Sequence, residues 1–262
     1  MAKAQALVLM VVHAHPGPES TNTGGILAHY ARQGVRVVLV TCTGGEPAAA
    51  RLAELRAACA HLGVHHLELL GYQDSGMAGE PRADAFRDVP VDEVADRLAA
   101  LMQQHRPQVV VTYDPEVHYH PDHVHAAVAT HRAAERTGIP AKVYSVALGA
   151  AYWAGIHAAA EQAGLGDAFA KPVATAENRR VDDRITTSVD VAQVWERKQV
   201  AVLAHASQVG GTWIEKLYRG PMPAILGSET YIRTWDRSGA PLPDRDLFDG
   251  LRTAGAGRAA TT

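Results

Sequence analysis

Two short stretches concentrate side chains that ligate metals and move protons. One is His13-Ala14-His15-Pro16-Gly17-Pro18-Glu19-Ser20; the other is His118-Tyr119-His120-Pro121-Asp122-His123. Four of the 14 histidines fall within residues 117–125, which random scatter would seldom give. Pro121 suits a first helical position, and His120 and His123 are three apart. Two imidazoles at that spacing can reach one centre, or one can bind metal while the other faces a substrate. The plainer alternative is a helix N-terminus with Asp122 as its dipole-matched charge. His15 lies just past an apolar run, and His13 shares its face if a strand continues that far. A histidine ending a buried strand is also commonly a hydrogen-bonded core residue. Thr41-Cys42-Thr43-Gly44-Gly45-Glu46 is a turn with two glycines. It can aim backbone N–H groups at an anion or a sugar, or simply turn the chain. Asp74, in Tyr72-Gln73-Asp74-Ser75-Gly76, can bind hydroxyl groups or cap its loop.

The elements that must position these residues follow from periodicity. Residues 6–12 and 35–41 are continuous β-prone runs, suited to strands buried on both faces. Residues 67–70, 108–113 and 142–146 read as further strands, and 185–189 as a sixth. Helical spacing covers 24–32, 48–62, 91–105, 122–137, 150–164 and 191–206, with Gly63 as one stop signal. From residue 207 onward, Gly, Pro and isolated aromatics predict short irregular elements. Residues 253–262, small and polar, read as a disordered tail. The alternation predicts an α/β fold, a three-layer, doubly wound, mainly parallel sheet formed by one domain over residues 1–252. In such sheets ligands bind beyond the carboxyl ends of the strands. The stretches 13–19, 41–46, 71–76 and 114–123 each follow a strand and should therefore share one edge.

Composition narrows the function classes. Hydrophobic residues at 47% and charged residues at 20% are ordinary for a soluble globular chain. A net charge of -3 offers no electrostatic footprint for nucleic acid or an acidic membrane. Two cysteines, Cys42 and Cys59, form neither a thiol metal pattern nor a disulfide framework, so a reducing cytoplasm is expected. The run 6–12 is too short to span a bilayer, and no small-residue cleavage site follows it. A homo-oligomer is compatible with all of this.

Taken together and in order, His13-Ala14-His15-Pro16-x-x-Glu19-Ser20, Thr41–Glu46, Asp74-Ser75-Gly76, Tyr113-Asp114, His120-Pro121-Asp122-His123 and His205-Ala206-Ser207-Gln208 resemble the LmbE-like (PIG-L-type) zinc-dependent N-acyl deacetylases. The likeness is greatest to the branch acting in mycothiol metabolism, the S-conjugate amidase and the acetylglucosaminyl-inositol deacetylase. It runs over residues 8–231. The resemblance implies a Rossmann-like fold and zinc as cofactor. It also implies a small amino-sugar or thiol-conjugate substrate and hydrolysis of its amide. Carried over by motif, it makes His15 and His123 zinc ligands and His120 the group that stabilises the oxyanion or protonates the leaving amine. Asp122 and His118 join His120 as candidate catalytic residues, and Asp74, Asp114, Gln208 and Glu46 are the expected substrate-binding residues.

The sequence departs from the family at the centre of this scheme. Gly17 stands where the family has its general base, and Pro18 where it has its third ligand. His118 stands where a tyrosine is expected, with Tyr119 next to it. Loss of a general base typically costs roughly 10² to 10⁴ in rate. Two imidazoles alone leave zinc mostly hydrated. Glu19 is therefore the expected substitute ligand, with His118 and His13 as spare imidazoles. The leading expectation is metal-assisted hydrolysis of a C–N amide bond in an amino-sugar or mycothiol-type conjugate. Behind it stand a different reaction in the same pocket and a non-catalytic binding protein.

Overall fold

The computed structural model describes residues 6–45, 48–76, 84–116, 120–165, 175–220 and 227–252. Glu46, His118 and the 253–262 tail lie outside them. Five strands run parallel: β1 (Val8–His13), β2 (Arg36–Thr43), β3 (His66–Tyr72), β4 (Val109–Thr112) and β5 (Lys142–Val146). Two more, β6 (Thr187–Asp190) and β7 (Ser228–Asp236), complete one sheet of order β3-β2-β1-β4-β5-β7-β6. Strand β7 corrects the expectation of irregular structure after residue 207. It runs antiparallel to both β5 and β6, so the sheet is mixed at that edge. Its signal is weak because Ser228, Glu229 and Thr230 break the apolar run and only part of the strand is buried.

Alternation along β1 explains the layers. Leu9 and Val11 face one side with Val37, Leu39, Val109 and Val111; helices α2 (Gly24–Arg32), α3 (Ala48–Leu62) and α8 (Trp195–Ala204) cover it. Val8, Met10 and Val12 face the other with Val38, Val40 and Val110, under α4 (Val91–His105) and α5 (Pro121–Thr137). A strand with apolar residues at both parities must be buried on both faces, and every residue of β1 is buried. Order 3-2-1-4-5 puts the reversal of winding between β1 and β4. There the loops leave in opposite directions and open a crevice.

One buried polar network ties the helical layer to β7. Glu229 accepts hydrogen bonds from Gly25 N–H at 2.7 Å and Ile26 N–H at 2.9 Å, satisfying free donors at the start of α2. Lys198 Nζ donates to the same carboxylate at 2.6 Å and Tyr231 OH at 2.8 Å. A Cβ at position 25 would collide with Val191 and with Glu229, so the close approach requires glycine. Among the described residues, no helix is long and apolar enough to cross a membrane. Glu229→Gln would leave the Lys198 ammonium buried beside a neutral amide. Urea denaturation should show a loss of about 3–5 kcal/mol.

Candidate functional site

The two stretches meet at the β1/β4 reversal. After β1 the backbone of Ala14 is held on both sides: its N–H donates to Tyr113 Oη at 3.1 Å and its carbonyl accepts from Thr43 N–H at 2.7 Å. This fixes His15 at the end of the strand. Helix α5 starts beyond β4, with His120 as its N-cap: Nδ1 accepts the Asp122 N–H at 3.1 Å. The loop after β3 supplies the third wall. Ser75 N–H donates to Asp122 Oδ2 at 3.1 Å, and Gly76 N–H donates to Asp74 Oδ1 at 2.8 Å.

The result is a compact buried group. Candidate ligand atoms of His15, Asp74, His120 and Asp122 all lie within 4.8 Å of one another. His15 Nε2 is 3.6 Å from Asp122 Oδ2, and His15 Nε2 and Asp122 Oδ1 are both buried without a hydrogen-bond partner. Burial alone would raise the Asp122 pKa, but the nearby His15 ring and the polar groups of Ser75 outweigh it and hold the carboxyl below its ordinary range. Burial lowers the His120 pKa, and the neighbouring His15 lowers it further. Since Nδ1 of His120 accepts a hydrogen bond, its proton sits on Nε2. The ring is thus a neutral donor and has no free ring nitrogen for a cation. The unsatisfied donor set is an imidazole nitrogen with carboxylate oxygens, which fits a divalent cation.

This arrangement corrects the expected ligand set at Glu19. Its carboxylate is consumed elsewhere: Gly17 N–H and Ser20 Oγ each donate at 2.6 Å, and His205 Nε2 lies at 2.5 Å. Glu19 is fully buried, and it closes the turn beneath the site. Gly17 itself has φ +117°, a region that strains other residues, and Pro18 begins α1 (Pro18–Thr21). The loop is built around a backbone that an aspartate at 17 would not readily adopt.

The other candidates lie outside this group, His123 directly beside it. His123 is not in the four-residue group. Its ring lies flat on Tyr113, 4.0 Å between centroids, and 5.0 Å from the His15 ring. Burial, then repulsion from His15 and His120, pushes its pKa down to about 2. His13 parts from His15 because β1 ends there; its Nε2 pairs with Thr23 Oγ1 at 2.9 Å in the core. Asp114 is paired with Arg184 at 2.8 Å. Gln208, on α9 (Ala206–Val209), bonds its neighbour Ser207. Arg51 on α3 went unread in the sequence: its guanidinium donates to Pro16 O and packs over Gly45. Burial lowers its pKa, while the nearby carboxylates of Asp74, Glu19 and Glu54 act the other way. An arginine in an Ala-, Leu- and Arg-rich helix looks like any solvated face, so no signal marked it.

The model of the GlcNAc-PI de-N-acetylase family, PIG-L, matches residues 10–134. The chain is 39% identical to the 1D-myo-inositol 2-acetamido-2-deoxy-alpha-D-glucopyranoside deacetylase of Acidothermus cellulolyticus, over 95% of this chain and 97% of the relative. The enzyme of the same name from Streptomyces avermitilis is 36% identical, over 93% and 97%. The chain belongs to the PIG-L (LmbE-like) family. Solved structures share the PIG-L fold at low identity. The N,N'-diacetylchitobiose deacetylase from Pyrococcus horikoshii aligns at TM-score 0.56 and 20% identity, covering 88% of this chain and 84% of that one. The 4-carboxy-2-hydroxymuconate hydratase from Pseudomonas putida aligns at 0.59 and 19%, covering 88% and 97%.

Burial alone would raise the Glu19 pKa, but the His205 and Ser20 bonds outweigh it and lower the value below 4.5. A carboxyl with a depressed folded pKa stabilises the fold above its unfolded pKa, and that contribution is lost as pH falls through the folded value. Glu19→Gln should therefore be about 3–5 kcal/mol less stable than the parent chain at neutral pH. The gap between the two denaturation curves should narrow as pH drops below 4.5, where the unfolded carboxyl is protonated.

Proposed function

We propose that the protein hydrolyses the amide of a 2-acylamino-2-deoxy sugar glycoside, releasing a free amine and a carboxylic acid, with a divalent cation such as zinc. The observation carrying this reading is the pair of unpartnered buried atoms, His15 Nε2 and Asp122 Oδ1, in a group that also contains Asp74. The names of the relatives that align end to end with the chain support the reaction and the substrate class. His15 and Asp122 would hold the cation. When bound, it supplies Lewis acidity at the carbonyl and lowers the pKa of the attacking water.

The chain's own groups supply the remaining steps. Asp74, with one oxygen anchored by Gly76 N–H, accepts a proton from the water as its oxygen adds to the carbonyl carbon. His120, held as the Nε2–H tautomer by its N-cap bond, donates to the carbonyl oxygen as negative charge develops there. The proton on Asp74 then passes to the nitrogen as the C–N bond breaks. Asp74 thus takes the part that Gly17 lacks, and Asp122 the part that Pro18 lacks. Asp114 and Gln208 remain candidates for contact with the sugar; the candidates Glu46 and His118 lie outside the described residues.

Incubation with an N-acetylglucosaminyl-inositol, with and without added zinc, should release primary amine, and a chelator should abolish the release. Asp74→Asn should lower kcat by roughly 10² to 10⁴ with metal content unchanged, whereas Asp122→Asn should lose the metal as well. Absence of amine release with zinc, manganese, iron or cobalt would overturn the proposal.

A further inference from the structure

A cavity of about 260 Å³ opens beside His123, at the carboxyl ends of β4 and β5. Its walls are mostly carbon: Tyr113, Val146, Leu148 and Trp153, with His123 and Asn22 at its borders. Asp114 also reaches it, but that carboxylate is neutralised by Arg184 at 2.8 Å. His123 joins the cavity to the reacting centre, since its ring is 5.0 Å from His15 and 5.3 Å from His120. A water-sized group takes about 30 Å³, so the cavity has room for about eight. The methyl of an acetyl group would fill a small fraction of it. The rest would stay as apolar space, with no gain from burial.

We infer that this cavity receives the acyl portion of the substrate, and that the chain prefers a bulky apolar acyl group, aromatic or branched, over acetyl. The inference rests on the deacylation reading, because the cavity adjoins the group assigned to that reaction. Tyr113 is already stacked on His123, so its ring is fixed, and Trp153 offers a second aromatic wall. Val146 and Leu148 leave β5 on the same side and supply the aliphatic contacts. The carboxylate of the product acid would point toward His15 and His120 and its apolar body toward Trp153.

The test uses the product acids, so that it reads binding as well as turnover. Isothermal titration of the full chain should give phenylacetate at least tenfold tighter binding than acetate. Hydrolysis of N-phenylacetylglucosaminyl-inositol should exceed that of the N-acetyl compound by a similar factor in kcat/KM. Leu148→Trp, and independently Val146→Phe, fill the cavity and should reduce the phenylacetate-to-acetate affinity ratio at least tenfold. Equal affinities for the two acids, or an unchanged ratio in both variants, would overturn the inference. If acetyl amides are cleaved and the two acids bind alike, the cavity assignment falls and deacylation stands. If phenylacetate binds preferentially and no amide is cleaved, deacylation falls and the ligand class of the cavity stands.

Discussion

The close approach of two buried carboxylates, Asp74 and Asp122, is the constraint around which the candidate site is organised. Candidate ligand atoms of Asp74 and Asp122 lie within 4.8 Å of one another and of the two imidazoles. At that distance two unit charges repel by at least about 3 kcal/mol at an effective dielectric near 20. Backbone N–H groups of Ser75 and Gly76 relieve each carboxylate in part, but they carry no net charge. His120 cannot help as a cation, because its Nδ1 accepts a hydrogen bond. What remains is His15 Nε2 and the space between it and the free oxygen of Asp122. A cation there would satisfy both orphaned atoms at once.

The sheet makes this arrangement inexpensive to hold. β1 and β4 are adjacent and parallel, so their loops exit at one edge on opposite sides of the reversal point. His15 comes from one loop and the α5 N-terminus from the other. The loop after β3 reaches over from beyond β2 to bond Asp122 through Ser75. Beneath them, the separate hydrogen-bonded pair of Glu19 and His205, with Gly17 N–H on the same carboxylate, fixes the Pro16–Pro18 turn. The two carboxylate systems divide the work. Glu19 holds the loop, and Asp74 and Asp122 are grouped with His15 and His120.

Much of the layered fold was legible because strands buried on both faces are conspicuous runs, as in β1, β2 and β4. The shared sheet edge followed from their parallel order. Strand β7 was not legible, since its partner strands are far away in sequence and its polar residues serve local networks such as that of Glu229. At the site, His15, His120, Asp122 and Asp74 could be singled out by motif and position. Their grouping could not. Spacing cannot tell that Ser75 donates to Asp122, that Glu19 is already committed to His205, or that His123 lies flat on Tyr113. Those outcomes depend on rotamers set by contacts between distant segments. Arg51 was hidden for a related reason: its role depends on the glycine turn it covers.

In the proposed site Asp122 joins His15 in place of the ligand missing at position 18. Crystals grown with zinc and measured at its absorption edge would test it most directly. One anomalous peak per chain is expected, at about 2.0–2.2 Å from His15 Nε2 and from an Asp122 oxygen. A peak on His123 without Asp122, or no peak near His15, would contradict it.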